Sequence, residues 1–347
     1  MLLTARLNSG GVMASEIESL LDYALNVGAS DLIVTEGAPS AVRFAGRVCA
    51  IPESPALPFG SLLEFLGSLE GESGTFVGGP WKNTKWRVKY FREALGNAAI
   101  FRPLMAECPD FQSLGTPPSL DNLLGLSSGL VVFGGPVCSG KTVSATSYVS
   151  AMCSSGILRF CNLDAGRELP VKTGESLMLA NTVGTTSEKL EQGLRSGTDL
   201  FWVGDFDEST LIPVLRAAES GALVVMNVTA GNAVGVIDAL LSASSSENRD
   251  LVRTMLAAAL KAVVVQRLLP AAAEGGGAVP AWEVLYNTQN VAAHIRSGDH
   301  FKLPSIMAAS ASEGMLLMDD CLAELVRSGY VTAEDAGRYV SNPARLA

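Results

Sequence analysis

The chain has 347 residues, with 25 Lys and Arg against 35 Asp and Glu, and 48% of it is apolar. Only 17% is charged, which excludes a disordered polymer. The net charge of −10 and an isoelectric point near 4.8 exclude nonspecific nucleic-acid binding as the main task, because phosphate neutralisation needs basic surface.

At roughly 150 residues per domain the length predicts two domains. Mean hydropathy is high, +0.29, but a membrane span needs about 18 continuous apolar residues. The nearest candidate, Met255 to Val265, is broken by Lys261 and ends at Gln266-Arg267. The apolar content therefore reads as a large core plus subunit interfaces. Met1 to Gly11 is too short and polar for a signal peptide. Cys49, Cys108, Cys138, Cys153, Cys161 and Cys321 form no CxxC pair and only His294 and His300 accompany them, so a zinc site is not expected. Scattered thiols without a secretory signal suggest a reducing cytoplasm.

Taken in chain order, Ser15 to Val27 carries Ile17, Leu20, Leu21, Ala24 and Leu25 at helical spacing. Ser15 with Glu18 predicts a capping box, and Gly28 is placed to end the helix. Asp31 to Thr35 and Ala41 to Ile51 read as strands, Pro52 to Pro58 as a turn, and Leu62 to Leu69 as a short helix. Trp86 to Phe91 and Ala98 to Phe101 read as strands around a hairpin turn at Gly96-Asn97. These elements make a small α+β unit. Pro, Gly and Ser between 109 and 119 predict a linker.

From Leu130 the pattern changes. Continuous apolar runs (Leu130 to Phe133, Leu200 to Val203, Ala222 to Val228, Ala262 to Val265) alternate with helical patterns. Such runs predict strands buried on both faces, hence an α/β fold with a mostly parallel sheet. Ala271 to Pro280 reads as a loop, and Met315 to Arg327 and Thr332 to Tyr339 as closing helices.

Gly135-Pro136-Val137-Cys138-Ser139-Gly140-Lys141-Thr142 fits G-x-x-x-x-G-K-[ST] between an apolar strand and a helical stretch, the context that motif requires. Glycines let backbone N–H groups turn inward around phosphates, and the helix N-terminus adds a positive dipole end. Lys141 is suited to the β- and γ-phosphates and the Thr142 hydroxyl to Mg²⁺. The predicted site is residues 135–143, closing with Val143, with ATP and Mg²⁺ as cofactors. A second carboxylate is needed on a neighbouring strand. Asp205, after Leu200 to Gly204, is the first candidate. Asp164, after Leu158 to Leu163, is another, and Asp207 and Glu208 read as solvated neighbours. The motif alone does not separate ATPase, GTPase and kinase.

At these residues the chain resembles the secretion ATPases of type IV pili and type II secretion, and within them the PilT-like pilus retraction ATPases. Gly28-Ala29-Ser30-Asp31-Leu32 is similar to the family's GASDLH opening, and Val42 to Gly46 to its R-x-x-G strand. Arg87 and Arg102 fall on its two arginine-bearing strands. Leu194 to Asp205 lines up on LR-x-x-PD-x-I-x-x-GE, Ala217 to Gly221 on AAETG, Val265 to Leu269 on SQRL, and Gly314-Met315 with Met318-Asp319 on GM-x-x-x-D.

The resemblance implies a RecA-like P-loop NTPase domain preceded by a smaller α+β, PAS-like domain: a disordered tail over 1–12, the N-terminal domain over 13–108, the linker over 109–119 and the ATPase domain over 120–347. It implies a hexameric ring, homomeric or mixed with a related ATPase, in the cytoplasm and peripheral at the inner membrane through a platform protein. It also implies that Arg87 and Arg102 reach phosphates of a neighbouring subunit; their bland alternative is sheet-edge salt bridges.

The departures are as informative. The family's catalytic glutamate is Asp205 here, the arginine of GEMRD is Asp207, the histidine of LHT is Thr229, that of TGH is Ala222, the first glutamate of EDPIE is gone beside Asp164, and the proline of PD is Thr198. Phosphate-binding parts are kept while water-activating and sensing parts are eroded. The expected function is a slow motor ATPase, with a non-hydrolysing, nucleotide-binding paralogue as the alternative and a P-loop kinase as a third reading that lacks a phosphoacceptor pocket.

Overall fold

The computed structural model describes residues 4–5, 12–67, 72–93, 96–163, 169–179, 184–204, 206–273 and 277–346. The chain divides into two compact units, residues 1–107 with 273–278, and residues 108–272 with 279–347.

In the first unit, β1 (Thr4–Ala5), α1 (Val12–Asn26), β2 (Asp31–Thr35), β3 (Ala41–Phe44), β4 (Arg47–Ala50), α2 (Ser61–Leu66), β5 (Ser73–Trp81), β6 (Thr84–Glu93) and β7 (Gly96–Leu104) build one sheet of order β1-β5-β6-β7-β2-β3-β4. Strand alternation puts Leu32, Val34, Val42, Trp86, Val88 and Phe101 on one face, where Ile17, Leu21 and Ala24 of α1 and Leu62 and Phe65 of α2 close the core.

Five local expectations change. The single strand expected over Ala41 to Ile51 folds back at Ala45-Gly46, φ 45° and 78°, into the antiparallel pair β3 and β4. Thr4–Ala5 pairs with Val77 and Gly78 of β5, so part of the expected disordered tail adds a strand to an otherwise open edge. Helix α1 begins at Val12, so Ser15 lies inside it instead of capping it; no Gly or Pro interrupts the chain between 12 and 15. Helix α2 stops at Leu66 because Gly67 turns to φ 78°, ahead of the expected Leu69. Gly96 and Asn97 are strand residues, registered against Glu93 and Arg92. Asn97 is held there by Glu36, whose carboxylate accepts Asn97 N and Nδ2 at 3.0 Å each, and Gly60 N and Leu62 N at 3.0 and 2.9 Å.

In the second unit the strands are β8 (Gly129–Gly134), β9 (Arg159–Asn162), β10 (Leu177–Leu179), β11 (Leu200–Val203), β12 (Leu223–Val228), β13 (Leu260–Pro270) and β14 (Ala278–Tyr286). Their order is β10-β9-β11-β12-β8-β13-β14, and each pair from β10 to β13 is parallel. Strands β8, β11 and β12 are buried along their whole length, which is why their apolar runs do not alternate. Helices α3 (Lys141–Ser155), α4 (Thr186–Arg195), α5 (Glu208–Glu219), α6 (Ala233–Ser242), α7 (Arg249–Ala259), α8 (Gln289–Ser297), α9 (Leu303–Ala309), α10 (Met318–Arg327) and α11 (Ala333–Gly337) accompany them.

Leu130, Val132, Phe201, Val203, Val224 and Met226 point into the core on one side of the sheet. Val131, Phe133, Leu200, Trp202, Leu223 and Val225 pack on the other, under Tyr148 and Val149 of α3. The stretch read as a linker is anchored in that second core. Phe111 packs on Tyr148 and Phe133, at 5.5 and 6.5 Å between ring centroids, and just past the stretch Leu120 and Leu123 are fully buried. Its Pro and Gly content supplies short 3-10 turns instead of free chain. No described helix is long and apolar enough to cross a membrane.

Candidate functional site

Strand β8 delivers the chain into the loop at Gly135, and α3 takes it up at Lys141. Three residues in between sit in the left-handed half of conformational space: Gly135 at φ 156°, Cys138 at 62° and Gly140 at 84°. Alternating handedness of this kind turns successive N–H groups toward one concave side, an anion-binding arrangement. Gly135 is sterically required by a backbone neighbour, and Gly140 is favoured by its positive φ. A Cβ on Gly135 would stand 2.3 Å from Ser139 Oγ and 2.6 Å from the Gln266 backbone oxygen, and one on Gly140 would stand 2.9 Å from Gln266 Nε2. Pro136 O accepts from Ser139 N at 3.3 Å, which closes the turn. The first bond inside α3 runs from Ser144 N to Gly140 O at 3.1 Å, so the amides at the start of α3 head the helix dipole toward the loop.

The side chains follow the same plan. Lys141 Nζ donates to Pro136 O at 3.3 Å, folded back along the loop it belongs to. Ser139 is buried, and its Oγ has no partner among the described residues. The Thr142 hydroxyl accepts from Asn227 Nδ2 at 3.2 Å. Val137, at the loop tip, is 68% exposed. A cradle with no room for a Cβ, an unpartnered buried hydroxyl and a lysine resting on a backbone carbonyl fit a bound phosphate chain, and the Thr142 oxygen fits Mg²⁺.

Two residues outside the motif complete the loop's support. Gln266 of β13 accepts from Ser144 Oγ at 2.6 Å and lies under both glycines. Its signal in the sequence is a polar residue directly after the run Ala262 to Val265. Asn227 gives the same signal in the run Leu223 to Val228.

Of the predicted acids, Asp205 and Asp164 lie outside the described residues. Strand β11 ends at Val203, registered against Met226 of β12, one residue before the position where Asn227 meets Phe133 of β8. Gly204 thus leaves the sheet at the end where the loop begins. Asp207 is the N-cap of α5: its carboxylate accepts from Ser209 Oγ at 2.6 Å and Thr210 N at 3.0 Å, bonds that hold its pKa below the ordinary carboxylate value. Thr229 follows β12 and is exposed, while Ala222, just before it, is buried.

Arg87 and Arg102 face each other across β6 and β7 in the first unit. The Arg102 guanidinium is engaged there: Nε and Nη2 each lie 2.8 Å from Asp31 Oδ1. Arg43 Nε stands 3.5 Å from Asp31 Oδ2, and Asp31 is only 3% exposed. Three residues of the matched motifs therefore form one ion-pair cluster, the salt-bridge alternative that the sequence left open for Arg102.

The profile of the type II/IV secretion system protein family matches residues 81–304. The chain is 27% identical over 338 residues to the type IV pilus retraction ATPase PilT of Pseudomonas aeruginosa, covering 92% of this chain and 97% of that one. It is 26% identical over 335 residues to the type IV pilus ATPase PilU of the same organism, covering 92% and 87%. A crystal structure of the pilus retraction motor PilT with bound ADP matches with a TM-score of 0.73 and 26% identity, over 95% of this chain and 98% of that one.

Proposed function

Since the chain belongs to the type II/IV secretion system protein family, we propose that it binds ATP with Mg²⁺ through residues 135–143 and turns it over slowly as a ring ATPase. The observation that carries this reading is the loop itself: Gly135 with no room for a Cβ against the Gln266 backbone, Gly140 at positive φ, and Lys141 and Thr142 at the head of α3. Backbone amides and the Lys141 ammonium bind the phosphates, and the Thr142 hydroxyl holds Mg²⁺, which when bound offsets charge on the β- and γ-phosphates.

Slow turnover follows from the residues that replace the family's water-activating groups. A general base works within about 2.6–3.2 Å of its proton. Asp205, standing where the family has glutamate, ends about 1.5 Å short on standard bond lengths. Thr229, in place of histidine, removes an imidazole of the family pattern. The phosphate cradle is indifferent to both changes, so binding is retained while chemistry slows. The same two replacements favour one alternative, a subunit that binds nucleotide without hydrolysing it and serves an active ring structurally.

By likeness to PilT and PilU, the work is done at a type IV pilus or a related secretion machine. The assembly is a homo-hexamer or a mixed ring in the cytoplasm, held at the inner membrane by a platform protein. Equilibrium binding of a fluorescent ATP analogue to the full chain, with Lys141→Ala as the blank, tests the site. Saturable binding lost in the variant supports it, and equal binding by both proteins overturns it.

A further inference from the structure

Strand β12 is buried from end to end, and alternate residues Leu223 and Val225 pack into the core beneath α3. The next residue in that row is Asn227, only 4% exposed. A carboxamide in an apolar row costs stability unless every polar atom finds a partner, and an unsatisfied buried group costs about 1–3 kcal/mol. Asn227 is satisfied on one side only. Its Nδ2 donates to Thr142 Oγ1 at 3.2 Å, whereas its Oδ1 has no partner among the described residues. The register puts Asn227 opposite Phe133 and Val228 opposite Gly134, so the amide sits at the sheet end where β8 turns into the loop.

We propose that Asn227 is a positioning residue for the cation side of the nucleotide site. Its Nδ2 fixes the Thr142 hydroxyl so that one lone pair stays open to Mg²⁺, and its Oδ1 accepts a hydrogen bond from a water of the ion's coordination shell. A hydroxyl oxygen has two lone pairs and one proton. With one lone pair held by Asn227, the other is aimed and the O–H is free to donate elsewhere. The buried unpaired oxygen then has a partner in the loaded protein that it lacks in the empty one. Partners of this kind orient a metal ligand without touching the metal, and their loss typically costs 10- to 100-fold in metal affinity.

This inference rests on the nucleotide-site reading above, and the experiment separates the two. The probe is a fluorescent ADP analogue titrated onto the full chain, first in EDTA and then with increasing Mg²⁺, for the wild type, Asn227→Val and Lys141→Ala. Valine suits a buried strand and fills a similar volume. Asn227→Val is therefore expected to melt at the wild-type temperature or above and to bind the analogue normally in EDTA. It should need about 10 to 100 times more Mg²⁺ to reach the tight-binding state. Asn227→Asp loses the Nδ2 donor but keeps the size and the Oδ1 acceptor, and its second oxygen can accept from the Thr142 O–H, which holds the hydroxyl with the opposite polarity and leaves its lone pairs to the ion; it is expected to retain the wild-type Mg²⁺ midpoint or lower it. An unchanged midpoint in Asn227→Val overturns the proposal. So does a fall in its melting temperature at an unchanged midpoint, which would assign the amide to the fold. If the wild type binds no analogue in either condition, the nucleotide-site reading has failed and the inference falls with it.

Discussion

Gln266 supports the loop from beneath, and removing it isolates how much that support contributes. In Gln266→Ala the Ser144 hydroxyl, 1% exposed and bonded to Gln266 Oε1 at 2.6 Å, loses its acceptor. A buried group left unpaired costs about 1–3 kcal/mol, at the lower end where a helical serine can turn back on the carbonyl four residues earlier, here Gly140 O. The lost Cγ methylene adds about 0.8 kcal/mol. The expected destabilisation is therefore about 2 kcal/mol. Ser144→Ala alone leaves Gln266 Oε1 unpaired instead, so the double variant should fall short of the sum of the singles by about 1 kcal/mol, a coupling usual for directly bonded neighbours. The assay is urea unfolding followed by tryptophan fluorescence, since Trp202 and Trp282 lie in this unit's core. Gln266→Ala should also weaken nucleotide binding, because Gly140 would lose the Gln266 side chain that lies beneath it. Additive single effects, within about 0.3 kcal/mol, would refute the pairing argument.

Three further expectations come from the same geometry. Gly135→Ala places a methyl 2.6 Å from the Gln266 backbone oxygen, so nucleotide binding should be abolished while circular dichroism of the chain stays native; retained binding would show that the loop relaxes freely. Glu283 is buried and accepts from Ala233 N at 2.6 Å and Met318 N at 3.3 Å, at the starts of α6 and α10, and burial raises its pKa above the ordinary 4.5. A raised folded-state pKa adds stability that is complete below the unfolded value and lost as pH rises through the folded one. The stability of the wild type relative to Glu283→Gln should thus increase as pH falls from 8 toward 4.5, and a pH-independent difference would contradict it. Arg102→Glu sets a second carboxylate against the buried Asp31, so it should lower the melting temperature of the first unit by several degrees, whereas a purely intersubunit role predicts no change in the isolated subunit.

The sequence was most readable where one physical demand dominates. Buried parallel strands need continuous apolar runs, and β8, β11 and β12 announce themselves that way. The phosphate loop needs glycine at fixed spacing, and Gly135 and Gly140 obey. It was least readable where a residue's partner is distant. Gly96 and Asn97 look like a turn pair, but Glu36, 61 positions away, accepts both Asn97 donors and keeps them in β7. Phe111 looks like part of a linker until Tyr148 and Phe133 are folded against it. Arg102 matches a motif arginine, yet its guanidinium is on Asp31, 71 positions earlier. Strand β5 was missed because Gly74, Gly78, Gly79 and Pro80 carry turn signals inside a paired strand. Asn227 and Gln266 were visible only as polar exceptions in apolar strands, and such exceptions acquire meaning once Thr142 and Ser144 stand beside them.

Steady-state ATP hydrolysis by the purified full chain, with Lys141→Ala as the blank, tests the central claim most directly. The account predicts a rate that depends on Lys141 and lies on the order of 10² to 10⁴ below that of a relative with glutamate at the Asp205 position, the usual size of a misplaced base. Hydrolysis at the relative's full rate would contradict the eroded-site reading, and a rate unchanged in Lys141→Ala would contradict the site itself.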